Sequence, residues 1–86
     1  MSRLVRSPLA RLRARGGFER ALDAAGELGV SRIYVLELEE GKGNPSPALV
    51  ERMASAYKCS RAAILKAVRS AQLELTRRRL KQLKDA

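Results

Sequence analysis

Histidine and tryptophan are absent from this 86-residue sequence, and aromatic residues make up only 3% of it. Without histidine, the chain lacks the side chain that most often transfers protons near neutral pH. No nucleophile is paired with a base, no residues have metal-ligand spacing, and Gly41-Lys42-Gly43 lacks the spacing of a Walker loop. A core of this size is also too small for a buried catalytic cleft. We therefore expect no enzymatic activity, no metal and no cofactor.

Cysteine and long apolar runs are also scarce. The single cysteine, Cys59, cannot form an internal disulfide, which fits a reducing compartment, and its place before a helix start favours a structural role. No apolar run approaches the length of a membrane span, and the N-terminus lacks the apolar core of a signal peptide. These absences predict a cytoplasmic protein with no membrane partner.

Acidic residues are confined almost entirely to the middle of the chain. Eighteen Lys and Arg residues against nine Asp and Glu give a formal net charge of +9. Residues 1–18 contain five arginines and no acid, and residues 52–86 contain ten basic residues and two acids. Residues 19–51 contain three basic residues and seven acids. The balance favours a polyanionic partner that is attracted by the flanks, although solvation alone explains any single charge.

Capping serines, prolines and glycines divide the chain into five predicted helices. The predicted starts are the caps Ser7, Ser31, Ser46 and Ser60 and, for the second helix, Phe18 or Glu19. The first helix is predicted to end at Gly16-Gly17, the second at Leu28 and the third at Glu40. The last has no Gly or Pro through to Ala86. No strand-like alternation competes, so the fold class is all-α.

Residues 21–40 have the spacing that a helix-turn-helix requires. Two short helices that cross steeply need a small side chain where they touch, which is Ala25, and Gly29 suits the positive φ of the turn. The face of the second of these helices that points into the core is formed by Val30, Val35 and Leu38.

The opposite face of this helix is predicted to point outward and consists of Ser31, Arg32, Ile33, Leu36 and Glu37. Its two apolar residues suggest a surface that a partner covers, and DNA is the leading candidate. Arg32 can donate two hydrogen bonds to a guanine, a pairing worth about 1–3 kcal/mol of discrimination. A phosphate contact is the alternative for Arg32. Glu37 can accept a hydrogen bond from cytosine or orient Arg32, and Ile33 and Leu36 can contact thymine methyl groups.

The final predicted helix has two apolar faces. The face predicted to pack on the other helices contains Ile64, Val68, Ala71 and Leu75. Leu73 and Leu80 lie nearly opposite, and Leu83 lies between the two faces. A monomer would expose these three leucines, so we predict that they form a dimer interface. The alternative is a helix that ends or bends near Ser70 and folds back.

Nine short pieces carry a family resemblance: Leu12-Arg13, Ala25, Leu28-Gly29-Val30-Ser31-Arg32, Val35, Leu38-Glu39, Gly41-Lys42, Asn44-Pro45-Ser46, Ala56-Tyr57 and Ser60. Together they resemble the XRE family of DNA-binding domains, to which the lambdoid phage repressors and Cro proteins belong. The resemblance covers about two-thirds of the chain. It implies a compact five-helix lambda-repressor-like bundle that binds operator DNA as a dimer, with the third helix in the major groove.

The resemblance also implies roles for single residues. It places the outward face of the third helix against base edges, and Lys42, Asn44 and Ser46 against phosphate. It pairs Arg13 with Glu39 in a structural role. The sequence departs from the family at Ala21, where many members have a glutamine that braces a base-reading side chain, and the junction around Gly16-Gly17-Phe18 is one residue longer than usual.

These observations predict a basic arm over residues 1–7, a DNA-binding domain over residues 8–70 and a C-terminal helical extension over residues 71–86 that holds a dimer. Arg3 and Arg6 of the arm are predicted to contact phosphate. The length leaves no room for an effector domain, which favours a dimeric repressor that binds a palindromic operator and occludes a promoter. The resemblance implies an origin in a phage or plasmid. The alternative is an antitoxin whose second apolar face binds a toxin or co-regulator protein.

Overall fold

The computed structural model describes residues 7–85. Within this range it contains five α-helices and no strand: α1 (Pro8–Arg15), α2 (Ala21–Leu28), α3 (Arg32–Glu40), α4 (Pro47–Tyr57) and α5 (Arg61–Asp85). The predicted all-α, five-helix fold is confirmed. No helix within residues 7–85 combines the length and the apolar character that crossing a bilayer requires. Arg3 and Arg6, predicted to contact phosphate, lie outside the described residues.

Four helices begin where the sequence predicts because a serine hydroxyl caps each of them. Each side-chain oxygen accepts a hydrogen bond from the backbone N–H three residues further on, at 3.0–3.2 Å, in the pairs Ser7–Ala10, Ser31–Tyr34, Ser46–Leu49 and Ser60–Ala63. Each bond satisfies a backbone donor that the first helical turn leaves without a partner, and each cap is worth about 1 kcal/mol.

The second helix begins later than predicted, at Ala21 instead of Phe18 or Glu19. The reason is the Arg13 guanidinium, whose Nη1 donates to the backbone carbonyls of Phe18 and Glu19 at 2.9 and 2.6 Å. These bonds hold the two residues outside the helix. The helix therefore starts only after Arg20, which has extended backbone angles and makes no side-chain cap.

One main core is built from residues of all five helices, and Leu9, Met53 and Ile64 are its most deeply buried large side chains. A smaller cluster of Ala21, Ala25 and Val35 joins α2 to α3. The inward positions predicted for the helix-turn-helix accordingly lie inside, with Val35 and Leu38 buried and Val30 half-buried. Gly29 ends α2 with a φ of 74°, which is the turn conformation that the sequence predicts there.

The last helix, α5, is a single helix of about 37 Å that packs against α1, α3 and α4. Its buried face consists of Ile64, Ala67, Val68 and Ala71. Leu75, which was predicted to belong to this face, is only half-buried because the helix begins to pass beyond the bundle there. The alternative of a helix that ends near Ser70 is wrong, since the helical hydrogen-bonding pattern continues to Asp85.

Candidate nucleic-acid interface

The first turn of α3 lies at the molecular surface. Ser31, Arg32 and Ile33 are exposed, and the side chain of Ile33 retains 61% of its accessible area. The Ser31 oxygen accepts the capping hydrogen bond from the backbone of Tyr34 at 3.0 Å, so its O–H remains able to donate. This end of α3 therefore presents a hydroxyl, a guanidinium and an apolar group side by side.

The second turn of α3 departs from the prediction at Leu36. This side chain is half-buried and packs against the cluster of Ala21, Ala25 and Val35, so it does not point fully outward. It follows Val35 directly, at the border of the buried face, and α2 covers part of it. Glu37, the next residue, is exposed as predicted for the outward face.

The loop from Gly41 to Ser46 contains the three residues that the resemblance places against phosphate. All three are exposed. The Nζ atom of Lys42 lies 3.2 Å from a carboxylate oxygen of Glu40, and the Oδ1 atom of Asn44 accepts a hydrogen bond from Gln72 of α5 at 2.6 Å. Ser46 caps α4, whose first turn offers backbone N–H groups that suit an anion.

A buried ion pair fixes the position of α3 within the bundle. The Nε and Nη2 atoms of Arg13 donate to the two carboxylate oxygens of Glu39 at 2.6 and 3.3 Å, and each side chain is only 8% exposed. Since the same guanidinium holds the chain at Phe18 and Glu19, one side chain links α1, α3 and the start of α2. These two residues therefore belong to the scaffold, and their charged groups bond to each other and to the backbone.

The charges around the helix-turn-helix are largely paired. Of the three basic residues within residues 19–51, Arg20 lies 3.2 Å from Asp23 and Lys42 lies 3.2 Å from Glu40. The third, Arg32, makes no ion pair or hydrogen bond through its side chain with any residue in the range 7–85. Arg32 is thus the basic group of this segment that is left to meet an anion or a base edge.

The basic flank of the chain forms a long exposed surface on α5. Its eight exposed basic side chains within residues 61–84 are Arg61, Lys66, Arg69, Arg77, Arg78, Arg79, Lys81 and Lys84. Glu74 forms surface ion pairs with two of them, Arg77 and Arg78. The asymmetry seen in the sequence is therefore spatial as well, with a mostly positive α5 beside a helix-turn-helix of mixed charge.

Sequence reasoning missed two residues, Gln72 and Leu22. Gln72 contacts the loop between α3 and α4, but Asn44 is 28 residues away and no local pattern indicates that contact. Leu22 of α2 is a large apolar residue that remains exposed. A signal for Leu22 did exist, because it lies off the buried face of α2 that Ala21, Ala25 and Leu28 define.

Comparison with known families gives one match. A family model described as a helix-turn-helix domain matches residues 7–67, which include α1 to α4 and the first part of α5. No curated protein and no solved structure matches the chain. The matched range contains the whole outward face of α3 and the loop that follows it, and it accounts for well over half of the sequence. The chain therefore belongs to the helix-turn-helix domain family of the XRE/Cro-like type, which consists of DNA-binding regulators.

Proposed function

We propose that the protein is a dimeric repressor, of the kind found in phages and plasmids, that binds a palindromic operator through α3 and occludes a promoter. The observation that carries this proposal is the position of Arg32. It is the first residue of α3, it is exposed, and it makes no ion pair within residues 7–85. An arginine at the start of a recognition helix is suited to contact guanine in the major groove.

Base recognition is assigned to the outward face of α3. Arg32 donates to O6 and N7 of a guanine, and the exposed Ile33 side chain contacts a thymine methyl group. Ser31 donates its hydroxyl to a base edge, and Glu37 accepts from the N4 amino group of a cytosine. Because Leu36 is half-buried against α2, only part of its side chain is left for a contact with DNA.

Phosphate contacts are assigned to the loop between α3 and α4. Lys42 supplies charge, Asn44 supplies its side-chain amide, and Ser46 lies at the N-terminus of α4, where backbone N–H groups point outward. Lys42 and Glu40 form an ion pair at the surface, which contributes little net stability. A phosphate can therefore replace the carboxylate of Glu40 at little cost in free energy.

Dimerisation is assigned to the end of α5. Leu73, Leu80 and Leu83 are 58%, 57% and 73% exposed, and the seven-residue spacing of the first two puts them on one face of the helix. Burial of a leucine contributes roughly 1.5–3 kcal/mol, and a twofold axis counts each residue twice. The free energy gained by this burial is comparable to the cost of association, which is about 4–15 kcal/mol. Burial of these leucines can therefore support a dimer.

An antitoxin is the second candidate function, because the same exposed leucines offer an apolar surface to a different protein. The two functions differ in what the protein does when it is purified alone. A homodimer at micromolar concentration supports the repressor. A monomer that forms a stoichiometric complex with the product of a neighbouring gene supports the antitoxin.

The decisive test is the selection of bound DNA from a random pool. We expect two inverted half-sites whose centres are about 34 Å, or one helical turn, apart, with a guanine at one position in each half-site. Selection of a single, unrepeated half-site would contradict the dimer. A pool that shows no enrichment at all would contradict sequence-specific recognition by α3.

A further inference from the structure

The side chain of Gln72 connects α5 to the loop between α3 and α4. Its Nε2 atom lies 2.6 Å from Oδ1 of Asn44 and 3.1 Å from the backbone carbonyl oxygen of Gly43. Gln72 itself is half-buried, whereas Asn44 is exposed. One amide group thus binds two neighbouring residues of the loop that the proposed function places against phosphate.

The geometry fixes which way both amides point. A backbone carbonyl can only accept a hydrogen bond, so the Gln72 atom that faces Gly43 must be the NH₂ group. The Asn44 atom that faces the same NH₂ group must then be its oxygen, because two amino groups would not bond to each other. The NH₂ group of Asn44 is consequently left on the side away from Gln72, where it is available as a donor.

The loop is held against α5 at a second point. Gly41 ends α3 with a φ of 92°, and a Cβ atom placed on it would come within 2.4 Å of the backbone oxygen of Ala71. The glycine therefore allows the backbone of the loop to lie directly on the backbone of α5, one residue before Gln72. Two adjacent contacts, one by close packing and one by hydrogen bonding, set the loop in register with the helix.

We propose that Gln72 is a positioning residue for DNA binding, which holds the carboxamide of Asn44 so that its NH₂ group donates to a phosphate oxygen. The inference rests on the proposed function, because it explains how Asn44 is oriented for one of the phosphate contacts proposed above. It also gives α5 a role at the interface with DNA that is separate from dimerisation, because Gln72 is not one of the three leucines, Leu73, Leu80 and Leu83, to which the dimer interface is assigned.

The test is a double-mutant cycle on DNA affinity. Gln72→Ala and Asn44→Ala should each weaken binding about tenfold, on operator and unrelated DNA alike, because a phosphate contact carries no sequence information. The double variant should lose no more than either single variant, because Gln72 acts only through Asn44. Gln82→Ala, at an exposed glutamine on the same helix, is the matched control and should bind as the wild type does.

Two further measurements distinguish a positioning role of Gln72 from unfolding, and a failure of this inference from a failure of the proposed function. Gln72→Met retains the length of the side chain and removes only the amide, so a folded Met variant with the same loss separates positioning from unfolding. Without DNA, either Gln72 variant should shift the NMR signals of the Asn44 side-chain NH₂ and the Gly43 backbone. Additive losses in the cycle, or a Gln72→Met variant that binds normally, would overturn the inference alone. A wild-type protein that binds no DNA would overturn the proposed function as well, while the NMR shifts would persist.

Discussion

Two arginines of this domain occupy opposite environments. Arg13 is buried, and its guanidinium donates hydrogen bonds to Glu39 and to two backbone carbonyls. Its N–H groups therefore hold helices together. Arg32 is exposed and makes no such bond within residues 7–85. The same type of side chain therefore holds the scaffold together at position 13 and is available to a ligand at position 32.

The first prediction at the residue scale concerns Arg32→Ala. The variant should lose operator preference while the fold and the oligomeric state are retained, because this side chain makes no contact with the core. A bidentate contact to guanine is worth about 1–3 kcal/mol, so discrimination should fall about 5- to 150-fold per half-site. Titration with operator and scrambled DNA measures this. Arg69→Ala removes the same charge from an exposed position on α5 and should leave the ratio of the two affinities unchanged.

A second prediction concerns Tyr57, whose buried hydroxyl has no hydrogen-bond partner among the described residues. Because an unpaired buried hydroxyl costs free energy, Tyr57→Phe should raise the free energy of unfolding by about 1 kcal/mol. Chemical denaturation at neutral pH measures the difference. A Phe variant that is less stable than the wild type would show that the hydroxyl has a favourable contact.

A third prediction is that Tyr57 makes the stability of the protein depend on pH. Burial, followed by the charge of Glu39, raises the pKa of Tyr57 from 10 to about 12, with Arg13 opposing. Between these two values the unfolded chain loses the proton while the folded protein keeps it. The stability that this group contributes is therefore complete below pH 10 and is lost as the pH rises towards 12, by roughly 3 kcal/mol at most. The advantage of Tyr57→Phe should widen over this range, and a constant difference would contradict the assignment.

At the scale of elements, the loop between α3 and α4 depends on its contact with α5. Gly41→Ala and Gly43→Ala form a matched pair, because both positions have a positive φ, 92° and 78°, but only the first has a neighbour in the way of a Cβ atom. Gly41→Ala should therefore be less stable than Gly43→Ala by about 1–3 kcal/mol. Thermal or chemical unfolding measures the difference, and equal losses would show that the loop can lift off the helix freely.

The helix boundaries show what local signals can and cannot predict. Four starts follow from serine caps, each of which acts within three residues and is therefore visible in the sequence. The start of α2 was predicted wrongly because its position is set by Arg13, a residue of another helix. A boundary that depends on a tertiary hydrogen bond leaves no periodic pattern in the sequence.

At the scale of the whole molecule, α5 combines two regions with different surroundings. Its first part packs against α1, α3 and α4 and lies within the matched family range up to residue 67. Its last part carries three exposed leucines among arginines and lysines. A long helix whose second apolar face is left exposed by the rest of residues 7–85 is the feature on which the proposed dimer depends.

The double variant Leu73→Glu with Leu80→Glu tests the dimer. It should retain the helical content of residues 8–58, become a monomer and bind operator far more weakly, because one half-site provides only one set of contacts. Sedimentation and DNA titration measure both effects. Leu65→Glu, at an exposed leucine in the matched part of the same helix, is the control and should remain a dimer. A wild-type monomer at micromolar concentration, or a double variant that sediments as a dimer, would refute this interface.

The sequence by itself determined the all-α fold, four helix starts and the inward positions of the helix-turn-helix. These follow from caps, a turn glycine and helical periodicity, which act over a few residues. Only the tertiary structure decided the late start of α2, the partial burial of Leu36 and the contact of Gln72 with Asn44. The first depends on a side chain of α1, the second on the cover that α2 provides, and the third on the contact between a loop and a helix whose residues are 28 positions apart in the sequence. Contacts between distant residues are set by the way the helices pack, which no short stretch of sequence contains.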